Sequence, residues 1–142
     1  MTQSLERFTQ AQSSTYKQAL AELECGQKHG HWMWFIFPQL RGLGFSENAI
    51  YYGLQGAEEA RAYLLHPYLG PRLECVTQAV LDSSTPLLDL FGEIDALKFA
   101  SCMTLFAHVA NDGSIYARAL KRLCDADTKT LEILSEQENG NE

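Results

Sequence analysis

"GHWMWFIFPQL", residues 30–40, sets Trp32, Met33, Trp34, Phe35, Ile36 and Phe37 in one unbroken run, with a histidine before it and Pro38-Gln39 after. Six consecutive apolar side chains are too costly to leave in water, so the run must be housed in a core. Pro38 biases Phe37 toward extended geometry. Periodicity alone does not separate a buried helical turn from a buried strand. The rest of the chain decides: helical spacing dominates and no second strand candidate is evident, so the run reads as a short helix and the fold as all-α.

Working outward, residues 4 to 25 carry Leu5, Phe8, Tyr16, Leu20 and Leu23 on one helical face, with Gln12 in the same stripe. Ser4 suits the N-cap and Gly26 the C′ position. Glu6, Lys17 and Glu22 take the wet side, and Gln12, if buried, needs a partner for its amide. After the run, "RGLGFS" reads as a loop, with Ser46 capping a helix through "ENAIYYGL". Residues 57 to 65 form a short helix with Ala57, Ala60 and Leu64 inward. Pro67 fits the first turn of the next helix, where Leu69, Leu73, Val76 and Val80 recur. Pro86 opens the turn "LLDLFG". From Ile94 to Val109 the chain is apolar nearly all round, as in a central helix covered on several sides. Helices over roughly Ile115–Leu123 and Thr128–Glu136 complete a single compact domain over residues 1–136, and residues 137–142 are expected to fray.

Length and composition agree with one globular domain: 142 residues bury about two thirds of their unfolded surface, and 46% apolar with 20% charged residues is ordinary. The formal charge of −7 argues against nonspecific nucleic-acid binding, although a local basic pocket is compatible with it. "MTQSLERFTQAQ" has no basic n-region followed by an apolar h-region, and the aromatic run falls far short of the roughly 20 residues that span a bilayer. A cytoplasmic location without membrane attachment is the expectation. Cys25, Cys75, Cys102 and Cys124 are widely spaced and form no C-x-x-C pair, so they read as free thiols, mostly small core residues.

Within the central helix, Lys98, Ser101, Thr104 and His108 step by three, three and four residues. At about 100° per residue they share a polar arc of roughly 120° on an apolar cylinder. Buried polar groups must be satisfied, so the arc faces water, internal partners or a ligand pocket. His31 beside Trp32 and Trp34 either caps the run, with both indoles in the core, or offers stacking faces and a titratable group to a ligand. Cys25, His29 and His31 have no second cluster to complete a zinc set, so no metal is expected, nor is a cofactor. Phosphate-loop, dinucleotide, nucleophile-elbow and zincin motifs are missing. Cys102 with His108 is a poor nucleophile pair, because an apolar helix disfavours the thiolate. Asp89, Glu93 and Asp95 cluster around "FG", where carboxylates favour helix N-termini, and could equally pair with Lys98 or Arg72.

"RFTQAQ" with Tyr16, "HWMWFIFPQLRGLG", "EARAYLLHPYLGPRL" and "FGEIDALKFASCMTLF" resemble, in order, the blocks of one bacterial and fungal family, the domain of unknown function eighteen-ten. That family is often labelled "calpastatin", although no inhibitor repeat occurs here. The resemblance covers residue 5 to about 134 and implies an all-helical fold with no established activity. Members usually carry Ser or Thr before His-Trp-Met-Trp, where this chain has Gly30, so a side-chain N-cap is expected to be lost there. A fainter likeness joins "FSENAIYY", with Glu47 and Tyr51, to the NADAR group of ADP-ribose-processing proteins. The lysine that follows in that group is missing here, so no catalytic residues carry across.

Two readings follow from the sequence. In one, a small anionic or nucleotide-like molecule sits in a pocket between the aromatic segment and the central helix, lined by His31, Trp34, Gln39, Lys98, Ser101, Thr104 and His108. In the other, the chain is a noncatalytic structural or protein-interaction module, and it should expose an apolar patch.

Overall fold

A computed structural model describes residues 5–140. Among them are ten helices: α1 (Glu6–Ser13), α2 (Tyr16–Glu24), α3 (Met33–Ile36), α4 (Glu47–Tyr52), α5 (Ala57–Leu65), α6 (Leu69–Asp82), α7 (Leu87–Phe91), α8 (Glu93–Val109), α9 (Ile115–Leu123) and α10 (Thr128–Gly140). Extended pairing among the described residues is confined to an isolated parallel bridge, Leu40 with Leu54. It ties the end of the aromatic run to the exit of α4 through Leu54 N–H donating to Gln39 O and Arg41 N–H to Leu54 O.

The aromatic run is helical where expected, over Met33–Ile36, and Phe37 leaves helical geometry ahead of Pro38 (φ −120°, ψ 76°) without reaching a fully extended backbone. Phe37 is fully buried and meets Phe99 of α8 edge-on at 5.2 Å and Phe91 of α7 at 5.9 Å. Burying a side chain of this size contributes about 1.5–3 kcal/mol. The run is thus a wedge driven against α8, which also packs on α5, α7, α9 and α10. One hydrophobic cluster, from Phe8 to Leu134, unites these elements.

The first helix departs from expectation by breaking in two. Thr15 leaves helical geometry (φ −124°) and its N–H bonds back only three residues, to Gln12 O. "SST" at 13–15 supplies the cause: the Ser13 hydroxyl donates to Gln10 O, the kind of local competition that makes Ser and Thr poor helix interiors. The stripe changes accordingly, with Ala19 and Leu23 fully buried while Tyr16 and Leu20 are half-buried. The proposed cap Ser4 lies outside the described residues. Gly26 has the left-handed backbone expected beyond α2 (φ +83°). Gln12 has its partners: its amide donates to Phe35 O at 2.7 Å and to the Tyr63 hydroxyl at 3.0 Å.

Pro67 lies in the turn before α6 rather than in its first turn, which holds Pro71 instead. The entry is capped by His66, whose Nδ1 accepts from Tyr68 N–H and Leu69 N–H. Helix α10 runs four residues past Glu136, and Gln137 donates to Gln55 O at 2.8 Å. The cysteines are less internal than expected. Cys25 and Cys75, at the end of α2 and on the outer face of α6, are exposed, and only Cys102 is fully buried. No helix among the described residues is long and apolar enough to cross a membrane.

Candidate functional site

Trp32 and Trp34 leave the start of α3 in opposite directions. Trp32 enters the core at 1% exposure, and its indole N–H donates to Glu22 Oε1 at 3.0 Å. The same oxygen accepts from the backbone of His29 (2.7 Å) and Gly30 (2.9 Å), and Gln18 donates to the other oxygen. Partial burial alone would raise the Glu22 pKa. The converging donors from Gly30, His29, Gln18 and Trp32 outweigh it and hold the carboxyl down at about 2. Glu22, assigned by its helical position to the wet side, is therefore the clamp of the loop that leads into α3. Gly30 belongs to this clamp and not to the α3 N-cap, which is Trp32. A Cβ at Gly30 would meet the Trp32 ring at 2.8 Å.

Trp34 is half-buried and forms a wall of a groove of about 340 Å³ between α3, α4, α8 and the start of α10. Leu40, Leu43 and Tyr52 supply apolar walls, and Ile94 and Leu97 stand at the α8 side. The Lys98 ammonium lies 3.9 Å from the Trp34 ring centroid, a cation–π distance. It also pairs with Asp95 at 3.3 Å, and Lys28 reaches the other Asp95 oxygen at 2.8 Å. Gln39 is 9% exposed, and its buried side-chain nitrogen has no hydrogen-bond partner. An unpaired buried amide costs roughly 1–3 kcal/mol, so Gln39 is the groove's unspent donor. Ser101 lines the groove with its hydroxyl donating to Leu97 O.

Four of the seven residues expected at the site thus share one groove: Trp34, Gln39, Lys98 and Ser101. Thr104 stands behind the rim. Its hydroxyl donates to Ala100 O and accepts Asp127 N–H at 2.8 Å, fixing a lining residue without lining the groove itself. His31 is exposed and lines an adjoining pocket that shares Trp34 and Lys98 with the groove. His108 is elsewhere, bonded to Glu138 of α10 at 2.9 Å. Rise explains the split: ten residues of helix between Lys98 and His108 span about 15 Å, too long for one small pocket however well the arc is aligned.

Sequence reasoning missed Asp127 and Lys129 in the lining, because they arrive from the far end of the chain. It also missed the buried pair Arg7–Glu59 (3.2 Å), whose guanidinium donates to Tyr51 O and Gly53 O and so fixes the end of α4. Ile94 and Leu97, counted among the buried faces of α8, are 71% and 68% exposed. Glu47 and Tyr51, the basis of the fainter likeness, are exposed and do not line the groove. Burial pushes the Cys102 thiol well above its usual pKa, which leaves it a poor nucleophile. No group of His, Cys, Asp and Glu among the described residues is arranged to hold a metal ion.

The family described as "Protein of unknown function (DUF1810)" matches residues 2–134. The chain belongs to this family. One solved crystal structure with this fold is that of the conserved hypothetical protein Rv1873 from Mycobacterium tuberculosis. It is similar to this chain at 42% identity with a TM-score of 0.89, over 92% of this chain and 96% of that one. No curated protein matches. The DUF1810 description assigns no activity, so a functional reading has to come from the groove.

Proposed function

We propose that the groove between the aromatic segment and α8 binds a small anionic or nucleotide-like molecule. The observation that carries this reading is the Lys98 ammonium stacked on the Trp34 face inside a groove that is also lined by Gln39, whose buried amide nitrogen lacks a partner. A planar ring against apolar walls, an acceptor for Gln39 and negative charge near Lys98 are what such a lining recognises. Lys129 adds a second cation. Asp127 turns its carboxylate to capping α10, where it accepts from Thr130 N–H. The reading calls for no cofactor or metal, and a cytoplasmic setting goes with it.

A second reading, a noncatalytic interaction module, draws on the exposed apolar side chains Phe45, Ile94 and Leu97. A thermal-shift screen of nucleotides and anionic metabolites separates the two. A genuine ligand at 100 times its Kd stabilises by about 2.7 kcal/mol. A reproducible rise in Tm that saturates with one compound class favours the groove reading. A panel without any response, together with concentration-dependent self- or hetero-association, favours the module.

A further inference from the structure

The groove has a neighbour of different character. On the other side of Trp34 and Lys98 lies a pocket of about 400 Å³ lined by Lys28, His31, Asn48 and Asp95 as well. Its chemistry is polar where that of the groove is mostly apolar. Two ammonium groups converge on one carboxylate there, Lys28 and Lys98 each taking a different Asp95 oxygen. The Lys28 side chain is only 9% exposed, held by Asp95, by Gly30 O and over the Trp32 ring at 5.0 Å. One carboxylate neutralises one of the two cations, and a surplus charge in a partly desolvated place favours an anion beside it. His31 and Asn48 line the same pocket, and both side chains carry N–H groups of the kind that suits an oxyanion.

We infer that this pocket is the oxyanion subsite of the ligand whose body occupies the groove. The ligand class is then an aryl or heteroaryl acid. Its planar part lies against Trp34 with an acceptor toward Gln39. Its phosphate or carboxylate extends past the indole to Lys28, Lys98 and His31. The inference rests on the groove reading for the body of the ligand, but the subsite stands on its own lysine pair.

Calorimetric titration with 1-naphthol, inorganic phosphate, 1-naphthyl phosphate and 1-naphthoate tests it. At least one of the two naphthyl acids should bind about tenfold or more tightly than naphthol, since a charge-assisted contact of this kind is worth that much. Which acid gains more distinguishes phosphate from carboxylate. Lys28→Met should abolish the gain and leave naphthol affinity unchanged. Asn48→Asp should do the same, and because Asn48 is exposed it keeps the test decisive should Lys28→Met fail to fold. Acids that bind no better than naphthol, or a gain that survives Asn48→Asp, overturn the subsite, while naphthol binding still supports the groove as the seat of a planar body. Naphthol failing to bind while inorganic phosphate binds and is lost in Asn48→Asp sinks the groove reading and keeps the subsite. No binding by any of the four overturns both.

Discussion

Trp32 and Trp34 stand two residues apart. One is 1% exposed, clamped through its indole N–H by Glu22; the other is half-buried beneath the Lys98 ammonium. Trp32 is the N-cap and Trp34 the second residue of α3, and a step of two at a helix turns the side chain by about 200°, so the entry to α3 is enough to send one indole into the core and its neighbour into a groove. The apolar run therefore answers two demands. Trp32, Ile36 and Phe37 fill the interior, while Trp34 is an aromatic surface kept available by the burial of the others.

The sharpest test of this contrast is to truncate each indole in turn. Trp32→Ala should cost about 3–5 kcal/mol in chemical denaturation, the usual range for deleting a large core aromatic. Trp34→Ala should cost about 1 kcal/mol or less, because its loss opens a groove that is already there. Equal losses at the two positions would erase the distinction and return both indoles to the core.

Glu22 marks the side of the contrast that is structural. Glu22→Gln keeps one acceptor but gives up the charge that four donors share, and should cost about 1–2 kcal/mol near neutrality. Its folded pKa is depressed to about 2, below the usual carboxylate value of roughly 4.3. The contribution is therefore complete above about pH 5 and is lost as pH falls from there toward 2. Stability curves of the native protein and Glu22→Gln should run parallel above pH 5 and converge below 4. Curves that stay parallel down to pH 2 would mean that Glu22 is not the clamp.

What the sequence made legible follows the same division. The all-helical fold, the short helix at 33–36, the Ser46 cap and the need of Gln12 for partners could be read because each rests on local spacing or on one residue's chemistry. The break at 13–15 could not, because it turns on Ser13 bonding backwards instead of on the apolar stripe. For the groove, the polar arc of α8 gives the direction of Lys98 and Ser101 but not its usable length, and Thr104 and His108 share the arc beyond the point where the groove ends. Asp127 and Lys129 enter through the packing of α10 on α8, a long-range contact with no local signature. The clamp at Glu22 needed three backbone and side-chain donors to fold around one oxygen, which no spacing rule encodes.

Lys98 probes the other side of the contrast, with an expected stability change as small as that at Trp34. Lys98→Met keeps most of the stem over Trp34 and removes the charge. Asp95 retains Lys28 at 2.8 Å, so the substitution strands no carboxylate. The pair that is lost is partly solvated, with side-chain exposures of 21% and 19%, and exposed pairs contribute about 0.2–1 kcal/mol. The cation–π contact adds about 0.5–1 kcal/mol at such a site. Stability should thus fall by about 1 kcal/mol, while any thermal-shift response to anionic compounds disappears. A small stability change with ligand response retained would place the anion away from Lys98. A loss of 3 kcal/mol or more would mean that Lys98 holds the fold as Trp32 does, and the surroundings of the two indoles would no longer differ in kind.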